Sequence, residues 1–186
     1  MELAQELGCA LIEELSSWRS NVSRYATPPE SIRQALASIV PSGEHELPSY
    51  PCRVKLKSGD VLDRVLIVPE KEYLHYWGVY PEDDKAKRSI RIEDILQLEE
   101  SPTRLPARFA DEIYRAGESG MGGTDFIVVF TDGSRQAYSA GGVVDFISYP
   151  TGKGPVDVAG VLPREGGGDT LVAVPGHYWC LYSLPA

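Results

Sequence analysis

Apolar residues in the first 49 positions recur every three or four residues, which is the spacing of one face of an α-helix. The first such stripe comprises Leu3, Leu7, Leu11, Leu15, Trp18, Val22 and Tyr25. A second helix is predicted to begin at residues 27–30, where a threonine, two prolines and a glutamate supply helix-start chemistry. Ile32, Leu36 and Ile39 continue it. The pattern therefore predicts two N-terminal helices in residues 1–49.

From residue 52 the spacing of apolar residues changes to two, the period of a strand with one solvent-facing side. Cys52, Val54 and Leu56 alternate with basic residues. Further strands are predicted over residues 61–68, 73–79, 90–92 and 95–98. Five short strands, with a Ser-Gly hairpin early and an acidic turn before the last, resemble an SH3-like small barrel. The resemblance implies an architecture for residues 50–101 and no activity, because small barrels carry many unrelated functions.

The third segment, residues 102–186, returns to the helical spacing and then to strands. A helix is predicted after Pro106 with Gly117 as its stop, and a hairpin joins residues 126–130 to residues 136–138. Later strands are predicted over 143–147, 156–162, 171–174 and 178–184. We expect a helix packed on an antiparallel sheet, and an α+β protein overall. The two β regions begin with similar hairpins, which we interpret as chance recurrence.

The chain is acidic, with a net charge of -9 that is spread over all three segments. Such a field repels nucleic acid and anionic membranes and attracts basic partners. Three scattered cysteines do not form a disulfide framework and fit a reducing compartment. The sequence has neither a basic, apolar export signal nor a membrane-spanning run. These features predict a cytoplasmic protein with no membrane association.

Few residues are candidates for catalysis or metal binding. His177 and Cys180 lie close in sequence, but positions three apart on a strand point to opposite faces, so a structural cysteine is the preferred interpretation. His45, His75 and His177 have no metal-ligand spacing. The glycine-rich loop 117–123 leaves a helix and enters a strand, the reverse of a phosphate-binding loop. The sequence thus identifies no catalytic residue, no metal ligand and no cofactor.

Basic and aromatic residues give the remaining signals. Arg53, Lys55 and Lys57 share one strand face, but nearby acidic residues can pair with them, so a solvated face is preferred over a nucleic-acid surface. Exposed aromatic residues are typical of recognition surfaces, and flexible loops often carry contacts. The predicted partner-binding residues are Glu118, Met121, Tyr76, Trp77 and Trp179.

These observations predict a non-catalytic, cytoplasmic protein-binding module. An acidic inhibitor, comparable in size, charge and location to small immunity proteins that block toxins, is one form of that function. The alternative is a small-molecule-binding protein or a hydrolase with a pocket that the sequence does not reveal. In that case Glu118, His75 and His177 are the first titratable groups to consider.

Overall fold

The structure, a computed structural model of the 186-residue chain, describes residues 23–43, 47–120, 122–164 and 170–184. The first predicted helix therefore lies almost wholly outside the described residues. Within these ranges the chain forms three α-helices: α1 (Glu30–Ala37), α2 (Glu70–Trp77) and α3 (Ala107–Ala116). None of these described helices is long and apolar enough to cross a membrane.

The described strands form two four-stranded sheets. The first sheet contains β1 (Tyr50–Leu56), β2 (Val61–Pro69), β3 (Ile95–Glu100) and β8 (Tyr178–Tyr182). The second contains β4 (Thr124–Phe130), β5 (Arg135–Ala140), β6 (Val158–Pro163) and β7 (Leu171–Ala173). Their orders are β3-β1-β2-β8 and β6-β4-β5-β7. The chain is thus a mixed α+β protein, as the sequence predicts.

The two sheets have the same topology. In each one, a hairpin is flanked by an antiparallel strand beside its first strand and a parallel strand beside its second. A 3-10 turn precedes β3 and β6, and its last residue accepts a hydrogen bond of 2.8 Å from the hairpin turn: Lys57 N–H to Asp94 O, and Thr131 N–H to Asp157 O. The similarity of the hairpins, interpreted from the sequence as chance, is therefore part of a repeated topology.

The strand predicted over residues 73–79 is wrong, because residues 73–77 lie in the helix α2. Acidic residues occupy the first turn of α2, where they favour a helix N-terminus. Gly78 ends the helix with a left-handed φ of 71°. Tyr73 and Trp77 are four residues apart and meet on one helix face, with ring centroids 6.4 Å apart. Aromatic residues have a high strand propensity, which favoured the two-residue spacing of a strand over the spacing of a helix.

The predicted five-stranded barrel is also not found. Residues 90–92 form no strand: Ile90 donates one backbone hydrogen bond to Trp179 O at 2.9 Å, and Ile92 begins a 3-10 turn. Residues 52–99 consequently contribute β1, β2 and β3 to an open sheet, and no closed barrel is present in the part of the chain that the structure describes. The second sheet is mixed rather than antiparallel, because β7 runs parallel to β5.

The first sheet has an apolar core on each face. Val65 and Ile67 of β2 belong to the core that includes residues of α1, whereas Leu66 and Val68 belong to the core that includes Tyr73 of α2. The strand β8, near the C-terminus, pairs with β2 and completes this sheet.

A buried segment, residues 143–147, joins the two sheet units. It is not the strand that the sequence predicts, since it makes only an isolated bridge, between Phe146 and Arg104. Val143 and Phe146 pack in the core beside α2. Val144 and Ile147 pack in the core of the second sheet. The apolar side chains of this segment are therefore divided between two cores, and the segment is not a strand of either sheet.

Candidate functional site

A cleft of about 610 Å³ opens where α2, α3, the first sheet and the segment before residue 144 meet. Its lining combines aromatic, aliphatic and charged side chains. The lining residues are Gly43, Leu47, Ser49, Leu66, Tyr76, Trp77, Asp111, Tyr114, Arg115, Gly142, Val143 and Trp179. This volume lies within the range of sites that bind small molecules.

The aromatic wall of the cleft is built on α2 and β8. The rings of Tyr76 and Trp77 meet edge to face at 5.3 Å, and those of Trp77 and Trp179 at 5.8 Å. Tyr76 is 49% exposed, whereas Trp179 is buried. The ammonium of Lys87 lies 4.0 Å from the centroid of the Trp77 ring. Edge-to-face packing is a favourable arrangement of aromatic rings, so these contacts stabilise the wall.

Close approach of the backbone helps to position Trp77. A Cβ atom built on Gly142 lies 2.6 Å from Cη2 of the Trp77 indole, closer than packed carbon atoms come. The neighbouring Gly141 has open space at the same point. Glycine at position 142 therefore leaves the room that the indole occupies in the wall of the cleft.

A polar face of α3 supplies another wall of the cleft. Asp111, Tyr114 and Arg115 are three and four residues apart, so they share one side of the helix. Asp111 Oδ1 accepts a hydrogen bond of 2.7 Å from the backbone N–H of Gly43, which fixes the orientation of its carboxylate. Arg115 is exposed. The carboxylate of Asp111 therefore gives this wall a fixed negative charge. The positive charge of Arg115 lies in solvent, where it is screened.

Tyr114 connects the cleft to a buried polar cluster. Its hydroxyl donates to Asp145 Oδ2 at 2.5 Å and accepts the backbone N–H of Val144 at 3.2 Å. Asp145 is fully buried. Burial raises the pKa of the Asp145 carboxyl, while Tyr114, Ser42 and Arg104 act in the opposite direction. A buried carboxylate of this kind is tolerated only with such donors and a nearby cation.

Arg104 supplies the buried cation of this cluster. It is 2% exposed, and its guanidinium donates to the carbonyl oxygen of Val40 and to the carboxylate of Glu100. Its own carbonyl oxygen accepts the hydroxyl of Tyr149 at 2.5 Å. The cluster therefore joins the chain after α1, the end of β3 and the segment 143–147 beneath the cleft.

Comparison of the chain with protein-family models, curated proteins and solved structures gives no match. The geometry of the cleft is therefore the evidence for its function.

The structure brings together three of the five residues that the sequence predicts to bind a partner. Tyr76, Trp77 and Trp179 line the cleft. Glu118 is exposed on the loop that follows α3 and does not line it. Met121 lies outside the described residues. Sequence reasoning missed Asp111, Tyr114 and Arg115, although their helical spacing was a signal that one polar face of α3 carries a distinct set of side chains.

The residues considered for an enzyme are not gathered in the cleft. His177 packs against the rings of Trp179 at 5.0 Å and Phe146 at 5.8 Å, and its Nε2 has no hydrogen-bond partner among the described residues. Burial lowers the pKa of His177 to about 4, so its imidazole is neutral near pH 7. Cys180 is buried in the core that includes α1, and burial raises the pKa of its thiol. His75 is exposed on α2.

Other candidates from the sequence also have structural roles. Arg53 pairs with Asp63 at 2.7 Å and Glu99 at 3.5 Å, which supports the interpretation of a paired face at this residue. Lys57 lies in the hairpin turn after β1 and not on the strand. Among the described residues, no group of three or more His, Cys, Asp or Glu side chains is placed to hold a metal ion. These results leave the cleft as the strongest candidate site.

Proposed function

We propose that this protein is a non-catalytic binding module, and that its cleft receives a cationic side chain of a basic protein partner. The observation that carries the proposal is that the aromatic rings of Tyr76 and Trp77 line the same cleft as the oriented carboxylate of Asp111. Aromatic faces attract cations through the ring quadrupole, and a carboxylate adds a charge-assisted hydrogen bond.

The charge of the whole protein supports a basic partner. The net charge of -9 produces a field that speeds the approach of cationic proteins and disfavours nucleic acid. A cytoplasmic inhibitor of the immunity type is one form that such a module takes. Its task is to cover a basic surface, which requires a fixed recognition site and no chemistry.

The two charged residues that line the cleft, Asp111 and Arg115, favour a cation over an anion. Asp111 is partly buried and held by Gly43, so it is less screened by solvent than the exposed Arg115. A ligand cation also meets the ring of Tyr76, which is 49% exposed, whereas the negative face of that ring repels an anion. Arg115 is expected to weaken cation binding slightly. Removal of the Asp111 charge and removal of the Arg115 charge should therefore change the affinity in opposite directions.

The test measures the affinity of charge variants for a flexible glycine-serine peptide that carries several lysines. Asp111→Asn keeps the acceptor for the Gly43 N–H but removes the charge, and we expect about tenfold weaker binding. Arg115→Gln removes the opposing charge, and we expect about threefold tighter binding. Glu112→Gln is the matched control, because Glu112 is exposed on the same helix and does not line the cleft.

Isothermal titration calorimetry at two salt concentrations reads out these affinities. Equal effects of Asp111→Asn and Glu112→Gln would show that only the general acidity of the protein attracts the peptide, and the proposed site would be wrong.

A small-molecule site is the second candidate, favoured by the cleft volume of about 610 Å³. For an anionic metabolite the two variants would change affinity in the reverse directions. A lack of peptide binding together with retention of such a metabolite during purification would favour this candidate.

A further inference from the structure

We infer that two arginines, Arg64 and Arg88, form a second binding site, which takes the phosphate group of inorganic phosphate or of a phosphate monoester. The site lies beside Gly176 and His177, immediately before β8, and none of these four residues lines the cleft. The phosphate site is therefore separate from the proposed cation site, and each can be tested without the other.

Both guanidinium groups contact Gly176. Arg64 Nε donates a hydrogen bond to the carbonyl oxygen of Gly176 at 3.0 Å. Arg88 Nη2 lies 2.8 Å from the position that a Cβ atom on Gly176 would occupy, so glycine leaves room for the second guanidinium. The two cations come from different elements, β2 and the loop between α2 and β3. Like charges held beside one residue repel each other, and a bound anion relieves this repulsion.

Most donors of these two guanidinium groups are unused within the protein. Neither arginine forms an ion pair with a carboxylate of the described residues. The hydrogen bond to Gly176 uses Nε of Arg64 and leaves both of its Nη groups for a ligand. The side chain of Arg88 is exposed, so its donors face solvent. The site thus offers two cations whose charge no neighbouring carboxylate neutralises.

Contacts with neighbouring groups orient both guanidinium groups. Arg88 lies over the ring of Tyr178, with its Cζ 4.4 Å from the ring centroid, and Arg64 is held by the Gly176 carbonyl. Side chains that are already oriented lose less conformational entropy when a ligand binds. A planar guanidinium also matches the oxygen atoms of a phosphate with paired hydrogen bonds. These contacts therefore favour binding of an oxyanion.

The electrostatic potential beside the arginines is positive, although the protein as a whole is acidic. The pKa of His177 is lowered to about 4, first by burial and then by the positive charges of Arg88, Lys87 and Arg64. Carboxylates farther away are screened over about 8 Å at physiological ionic strength. A phosphate monoester carries a charge of about -1.5 to -2 near pH 7 and has several acceptor oxygens. It therefore matches two cations better than a carboxylate does.

The experiment titrates the labelled protein with inorganic phosphate at constant pH and ionic strength, and follows the backbone amides of Gly176 and His177 by nuclear magnetic resonance. We expect saturable shifts, and an affinity about tenfold lower in Arg64→Gln and in Arg88→Gln, because each variant removes a charge-assisted contact. Acetate, a monoanion, is expected to bind about tenfold more weakly than phosphate. Arg135→Gln is the matched control, because Arg135 is exposed at the start of β5, in the other sheet.

Thermal unfolding checks that each variant folds, and Arg88→Lys adds a variant that keeps the charge without the planar guanidinium. It is expected to retain part of the phosphate affinity. Equal affinities in Arg64→Gln, Arg88→Gln and Arg135→Gln, or no saturable shift at Gly176 and His177, would overturn the inference. Acetate binding as tight as that of phosphate would overturn the ligand class. Loss of phosphate affinity in both glutamine variants would support the site, whatever the lysine peptide does at the cleft.

Discussion

Replacement of Arg104 by methionine is expected to lower the free energy of unfolding by about 3 to 5 kcal/mol, the usual cost of removing one partner from a buried charged cluster. Methionine fills much of the volume, so the loss is mainly electrostatic. The substitution removes the donor to the Val40 carbonyl oxygen and the nearby positive charge that opposes the raised pKa of the buried Asp145. Both groups then remain buried with less compensation.

Urea unfolding followed by circular dichroism measures this effect. The control is Arg135→Met, because Arg135 is exposed at the start of β5, and its removal is expected to change stability by less than about 0.5 kcal/mol. The double variant Arg104→Met/Asp145→Asn is expected to be less destabilised than the sum of the single variants, because the uncompensated charge is then absent. If the loss of unfolding free energy in the double variant equals the sum of the two single losses, the proposed coupling of Arg104 and Asp145 is wrong.

Replacement of Trp77 by alanine is expected to weaken binding of the lysine peptide about thirtyfold, or about 2 kcal/mol, as for a tryptophan at the centre of an interface. Trp77 forms the middle of the aromatic wall, between the rings of Tyr76 and Trp179. Its indole is the most favourable ring for a cation. The Trp77→Phe variant keeps a ring in place and is expected to retain part of the affinity. Calorimetry measures both variants after their folding has been checked by thermal unfolding.

A second pair of variants moves Trp77 without removing it. Gly142→Ala places a methyl group where the indole edge lies, so Trp77 must shift, and peptide affinity is expected to fall. Gly141→Ala is the matched control, since open space surrounds that position. Equal peptide affinities for the two alanine variants, or an unchanged affinity in Trp77→Ala, would show that the aromatic wall does not take part in binding.

The sequence predicts those elements that have a strong local period and clear end signals. The helix α3 places Phe109, Ala110 and Ile113 in the core and ends at Gly117, which has a φ of 79°. The hairpin of β4 and β5 turns at Gly133, with a φ of 81°. In both elements the local chemistry and the tertiary packing require the same structure, so the pattern is sufficient.

Two other features depend on interactions distant in sequence. The pairing of β8 with β2 joins residues more than 100 positions apart, and no local pattern specifies a parallel neighbour. The segment 143–147 is apolar at nearly every position because it contacts two cores, and this pattern resembles that of a buried strand. Prediction from one sequence fails at both places because the deciding contacts are tertiary.

The candidate site also contains residues that the sequence predicts and residues that it does not. Tyr76, Trp77 and Trp179 were predicted as contact residues because clusters of aromatic residues are typical of recognition surfaces. The lining residues on α3 were missed, because Asp111 and Arg115 resemble an ordinary solvated helix face until the cleft is known. The role of Gly142 is visible only when the distance to the indole of Trp77 is measured.

The most direct test of the cation-binding cleft is a nuclear magnetic resonance titration of the labelled protein with the lysine peptide. The chain contains three tryptophans, so the indole resonance of Trp77 can be assigned with single substitutions. We predict saturable shifts of the Trp77 indole and of the backbone amides of Gly43 and Gly142, with loss of the Gly43 shift in Asp111→Asn. Shifts confined to the paired surface around Arg53 and Glu99, or no saturable shift, would contradict the account.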